Sequence, residues 1–76
     1  MLIIIKTLTG LRLQFEITDD MTVYDLKQEV AQREGIELPQ IRMIHGGHQL
    51  NDTQVISKTN IKAGDIIHLV LSLRGG

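Results

Sequence analysis

The apolar residues of this chain change their spacing once, and that change dictates the fold. Up to residue 17 they recur at every second position. Met1, Ile3 and Ile5 come first, then Leu11, Leu13, Phe15 and Ile17, alternating with Arg12, Gln14 and Glu16. Period 2 marks a strand with one face buried. The first segment also carries Leu2 and Ile4, so it is apolar on both faces. From Val23 the spacing becomes i, i+3, i+7: Val23, Leu26 and Val30 share one face of a helix running to about Glu34. A chain that makes this switch has to lay a helix against a sheet, because each has an apolar face to hide.

The punctuation agrees. Thr7-Leu8-Thr9-Gly10 reads as a hairpin loop in which Gly10 can adopt positive φ, and Leu8 is an apolar side chain left at its tip. Thr22 is placed to cap the helix, with Asp25 at the capping-box position. Gly35 suits a left-handed cap at the other end. Residues 40–45 form a strand, Gly46-Gly47 a turn, and a brief segment follows through Leu50. Asn51-Asp52 marks another turn. Residues 53–64 have poor periodicity and predict loops with one short helical turn near 57–60. The last strand is expected over Asp65–Leu73, with Ile67, Leu69 and Leu71 on one face and His68, Val70 and Ser72 on the other. The class is α+β: a mixed sheet of four to five strands on one helix, with the first and last strands able to pair in parallel.

Composition removes several functions. At 76 residues the chain is a single domain, burying roughly 60–65% of its unfolded surface. That suffices for one small core and leaves little room for a substrate cleft. Without cysteine there is no disulfide, no cysteine-rich zinc site and no cysteine nucleophile. The formal charge is −1 and the basic residues are scattered without aromatic interleaving, which argues against nucleic acid as a partner. The apolar start, Met1-Leu2-Ile3-Ile4-Ile5, stops at Lys6, too short for a signal peptide or a membrane span. No catalytic triad is legible. His45, His48 and His68 are the one candidate group for zinc or copper, and three scattered histidines fall short of the usual ligand set, so no metal and no cofactor are expected.

Four segments carry a family resemblance: Lys6-Thr7-Leu8-Thr9-Gly10, Glu34-Gly35-Ile36, His68-Leu69-Val70-Leu71 and Leu73-Arg74-Gly75-Gly76. They resemble the ubiquitin family, end to end and without an evident gap. The resemblance implies the β-grasp fold, with residues 1–72 as the domain and 73–76 as a flexible conjugation tail. It implies a protein modifier, not an enzyme. The Gly76 carboxylate would be adenylated by an activating enzyme, passed between enzyme cysteines as a thioester, and joined to a target lysine. Gly75 and Gly76 suit that chemistry independently, since a backbone without side chains threads a narrow channel and leaves its acyl carbon open. Leu71, Ser72, Leu73 and Arg74 would be read with them.

The resemblance also implies two recognition patches. Leu8, Ile44, His68 and Val70 match the family's apolar patch, and apolar clusters on a solvent face mark partner sites. Histidine gains charge near neutrality, so His68 predicts pH-sensitive binding. Ile36, Leu71 and Leu73, beside Leu8, resemble a second patch. Leu2 and Ile4 offer a third surface or an edge feature.

Departures from ubiquitin separate the branches. Lysine is kept at the family's acceptor positions only at Lys6 and Lys27, while Leu11, Glu29, Arg33, His48 and Ala63 occupy the others. Lys6, Lys27 and the Met1 amine are the candidate acceptors for chain extension, with Lys58 and Lys62 read as solvated charges. Ser72 stands where ubiquitin has an arginine; it lacks the charged fork and resembles the small residue of Rub/Nedd-type modifiers. Met1-Leu2-Ile3 and Asn51-Asp52 point the same way, whereas Thr59, Ile41 and His45 fit neither branch. A Rub/Nedd-type modifier is the first reading. A divergent or engineered ubiquitin stands beside it, as does a noncovalent ubiquitin-like binding module cut from a larger protein. The expected partners are activating, conjugating and ligase enzymes, deconjugating proteases, lysine-bearing targets and ubiquitin-like-binding domains, met by a monomer in the cytoplasm and nucleus.

Overall fold

A computed structural model describes residues 1–72. Its strands are β1 (Leu2–Lys6), β2 (Arg12–Glu16), β3 (Ile41–His45), β4 (His48–Gln49) and β5 (Ile66–Leu71), with one α-helix, α1 (Val23–Glu34). The strands form one mixed sheet in the order β2-β1-β5-β3-β4. β1 and β5 lie parallel at its centre, and the other neighbours are antiparallel.

The helix begins and ends for the reasons its sequence suggests. Thr22 Oγ1 accepts from the Asp25 backbone N–H at 3.1 Å, and Asp25 Oδ2 accepts from the Thr22 N–H at 3.0 Å. Two donors that the first turn would leave orphaned are thus satisfied reciprocally. At the other end Gly35 sits at φ 67°, and its N–H returns to the Ala31 carbonyl. Only glycine takes that conformation without a steric cost.

The helix lays Val23, Leu26 and Val30 onto one face of the sheet, where they bury Ile3, Ile5, Phe15, Ile41, Met43, Ile67 and Leu69. The chain after β4 closes the ends of this layer with Leu50, Ile56 and Ile61. Phe15 is the sole aromatic residue of the core, so packing rests on aliphatic side chains.

Four expectations shift. The helical turn of the 53–64 segment is a 3₁₀ turn at Ile56–Lys58, one residue earlier than its sequence suggests, because Ile56 is drawn into the core. A second 3₁₀ turn, Leu38–Gln40, is not legible in the sequence; Pro39 sits in its first positions, where no N–H is needed, and it feeds directly into β3. β5 starts at Ile66 and ends at Leu71, shorter than Asp65–Leu73 at both ends. Asp65 is engaged by Lys62, and Leu73 lies outside the described residues. Finally, Leu71 is exposed, although its parity matches Ile67 and Leu69.

Candidate functional site

The outward face of the sheet follows from strand parity. β5 presents Ile66, His68 and Val70 there, flanked by Ile4 and Lys6 of β1 and by Arg42 and Ile44 of β3. Register makes these direct neighbours. Ile4 lies opposite Ile66 and Lys6 opposite His68 on one side of β5. On the other side Ile44 lies opposite His68 and Arg42 opposite Val70. Lys6, His68 and Ile44 therefore form one row across three strands, with Gln49 continuing it on β4. Ile44 and Val70 are half-buried and His68 is exposed.

Leu8 is held out by its turn. The Gly10 N–H donates to the Thr7 carbonyl at 3.0 Å, and the Leu11 N–H to Thr7 Oγ1 at 3.1 Å. Gly10 takes φ 87° to close the loop. Leu8 is left 81% exposed, one residue beyond Thr7 and two beyond the Lys6–His68–Ile44 row. An exposed leucine fixed by a hydrogen-bonded turn loses little conformational freedom on binding, which favours a contact role.

Behind the same turn lies an apolar groove of about 230 Å³, lined by Leu8, Leu11, Ile36, Leu69 and Leu71 with Thr7 and Thr9. The structure thus brings together Leu8, Ile36 and Leu71 of the second patch. Leu73, Arg74, Gly75 and Gly76 lie outside the described residues. Ser72 closes the described chain, its N–H donating to the Gln40 carbonyl at 2.7 Å. Leu2 is exposed, and Ile4 lies opposite Ile66 on the outer face, two residues along the strands from the Lys6–His68 pair.

The acceptor candidates separate. Lys27 is 6% exposed and its Nζ lies 2.6 Å from Asp52 Oδ1. Lys27 is thus the least presented of the three candidate acceptors, since its ammonium must leave Asp52 and the core edge before it can meet an acyl donor. Lys6 is half-buried on the outer face. The Met1 ammonium donates to the Ile17 carbonyl at 2.6 Å and lies 3.8 Å from Glu16 Oε1.

The histidines do not converge either. His45 Nε2 lies 2.9 Å from Asp65 Oδ2, which also accepts the Lys62 backbone N–H at 2.9 Å. The Lys62 N–H and then His45 hold the Asp65 carboxyl below its ordinary value. Among the described residues no three His, Cys, Asp or Glu side chains could share a metal.

Sequence reasoning missed two features of this face. One is its charge: Lys6, Arg12 and Arg42 lie on this face, and Glu16 is the only acid on the five strands. The other is the neighbouring apolar pair of Ile4 and Ile66 on the same face. Counting parity across paired strands would have found both, had the register been known.

An aliphatic core under one helix, parallel central strands and this outward face together point to one family. The sequence profile described as the Ubiquitin family matches residues 3–74, and the chain belongs to that family. Its relatives narrow the branch. It is 42% identical to "Ubiquitin-like protein NEDD8" of Dictyostelium discoideum over 76 residues, covering all of this chain and 99% of the relative. It is 40% identical to "Ubiquitin-like protein 1" of Schizosaccharomyces pombe, covering all of this chain and 97% of the relative. It is 37% identical to "NEDD8-like protein RUB1" of Saccharomyces cerevisiae, covering all of this chain and 99% of the relative. Among the described residues no helix is long and apolar enough to cross a membrane.

Proposed function

We propose that this chain is a protein modifier of the Rub/Nedd type, a substrate of its pathway's enzymes and not itself an enzyme. The supporting observation is its full-length similarity to relatives named NEDD8 and RUB1. Ser72, in place of the arginine of ubiquitin, agrees with it. The reaction runs through the Gly76 carboxylate when that residue ends the chain. The carboxylate attacks the α-phosphate of ATP and displaces pyrophosphate. A cysteine thiolate of the activating enzyme then displaces AMP to form a thioester. After transfer between enzyme cysteines, a target lysine amine displaces the last thiol and forms the isopeptide bond. Gly75 and Gly76 thread the enzyme channels, while Leu71, Ser72, Leu73 and Arg74 are read at their entrance.

The body of the domain supplies recognition. Leu8, Ile44, His68 and Val70 form the apolar contact surface for conjugating enzymes, deconjugating proteases and ubiquitin-like-binding domains. Lys6 and Arg42 at its rim favour partners with acidic surrounds. Ile36 and Leu71 extend contact into the groove with Leu8, and Leu73 follows them along the chain. Lys6 is the acceptor for chain extension, with the Met1 amine available when its bond to Ile17 opens. The modifier works as a monomer in the cytoplasm and nucleus.

The test is loading. Purified chain, ATP and a panel of activating enzymes should yield a thioester, reversed by reducing agent, with the Rub/Nedd-type enzyme and poorly with the ubiquitin enzyme. Ser72→Arg should raise loading by the latter. Absence of an adduct with every enzyme overturns the proposal.

A further inference from the structure

β2 is an outer strand of the sheet, and its free edge has an unusual composition. The Ile17 N–H donates to Met1 and the Thr7 N–H to Leu11, at 2.8 and 2.9 Å. Antiparallel bonds alternate, so the odd-numbered residues of β2 bond to β1. The backbone groups of Arg12, Gln14 and Glu16 consequently point away from the sheet. An edge with free donors and acceptors is a template for another strand.

This edge is complementary to itself. Antiparallel pairing of two copies about Gln14 sets Arg12 of each opposite Glu16 of the other, with Leu13 opposite Phe15. Arg12, Gln14 and Glu16 are all exposed on the outer face, so both charge pairs form there without burial. Glu16 holds only a long, exposed pair with the Met1 ammonium at 3.8 Å, which a closer guanidinium can displace or share. The result is a two-fold, isologous interface that joins two five-stranded sheets into one.

One contact blocks it. Arg33, near the end of α1, reaches over the edge of the core and donates from Nη2 to the Gln14 carbonyl. Its guanidinium is seated 3.9 Å from the centroid of the Phe15 ring, a cation–π contact that holds it there. The Gln14 carbonyl is the acceptor at the two-fold axis. Pairing would remove that bond and bring the two guanidinium groups toward each other.

We propose that β2 is a self-complementary docking edge for a second copy of this chain, and that Arg33 latches it shut and keeps the chain monomeric. Arg33 acts by occupying the central acceptor and placing a like charge where the two copies must meet. Release of that side chain from Gln14 opens the edge, and pairing of Arg12 with Glu16 across the two-fold sets the register.

Sedimentation of the full chain across a concentration series tests this. Arg33→Ala should dimerise at least about tenfold more tightly than the parent chain, while Arg33→Lys, which retains a donor and a charge, should stay close to it. Within the Arg33→Ala background, Arg12→Glu sets carboxylates opposite each other and should return the chain to monomer. Adding Glu16→Arg restores opposite charges and should restore the dimer. Amide exchange should show the Arg12, Gln14 and Glu16 N–H groups protected on dimerisation, and a native-like amide spectrum confirms that each variant is folded. A monomeric Arg33→Ala chain at every concentration overturns the proposal. A dimer indifferent to Arg12→Glu, or one that leaves those three amides unprotected, overturns it equally.

Discussion

The two faces of the central strands are built from similar residues and behave oppositely. Ile5 and Ile67 pair across β1 and β5, and so do Ile4 and Ile66 one residue earlier. The first pair lies under α1 with no exposed surface; the second is half-buried on the outer face. Parity alone separates them, because consecutive strand residues point to opposite faces. The difference teaches that apolar character does not assign a role in this sheet. What covers the residue does. On the covered face an isoleucine holds the fold together, and on the open face it is available to a partner.

The sharpest way to break that comparison is to truncate one residue on each face. Ile67→Ala removes side-chain volume from a site packed on all sides and should cost about 2–5 kcal/mol, a large part of the stability of a domain this small. Urea denaturation should show the midpoint fall with little change of slope. Ile44→Ala, on the open face, should cost less than about 1 kcal/mol of stability yet weaken partner binding by about 2 kcal/mol or more, as truncations at the centre of an interface do. A calorimetric titration against any enzyme that accepts the chain, run beside the denaturation, reads both. Equal losses of stability at the two sites would erase the distinction between the faces.

Lys27 is the exception on the covered side. It is a charged residue within the buried face of α1, compensated by Asp52, which is half-exposed. Asp52→Ala leaves the ammonium buried without its partner and should cost about 1–3 kcal/mol. Replacing Lys27 by methionine in the same background should recover much of that loss by removing the stranded charge. If the double variant is no more stable than Asp52→Ala, the cost lies in the turn around Asp52, closed by the Gln54 N–H to the Asn51 carbonyl, and not in the ion pair.

The history of these residues shows where the sequence was informative. Alternation through Phe15 and the i, i+3, i+7 set of α1 were readable because periodicity depends only on local geometry. So were the Thr22–Asp25 box and the Gly35 cap, whose partners lie within a few residues. The burial and pairing of Lys27 are not legible locally, because its partner Asp52 stands 25 positions away. Parity groups Leu71 with the inward set, yet it is exposed because it borders the open groove beneath the Leu8 turn. At the recognition face, resemblance drew Leu8, Ile44, His68 and Val70 together. The Lys6–His68–Ile44 row needed the parallel β1–β5 register, which follows from the crossover and not from either strand.

The smallest expected effect concerns a polar pairing at the border between the faces. Asp65 precedes β5, accepts the Lys62 N–H and faces His45, and these contacts lower its carboxyl below the ordinary value of 3.8. A carboxylate favoured in the fold contributes stability above its unfolded value, and that contribution is lost as pH falls through the lowered, folded value. The parent chain should therefore gain on Asp65→Asn as pH rises from the acid side, and the difference should level off once both forms of the carboxyl are ionised. Asparagine keeps an acceptor for the Lys62 N–H, so the loop persists and the comparison isolates the charge. The side chain is solvated, which keeps the effect small beside the core and the Lys27 pair. Thermal melts of both proteins across the acid range check it. A constant separation at every pH would mean that the Asp65 charge contributes nothing, leaving its hydrogen-bond geometry as the whole of its role.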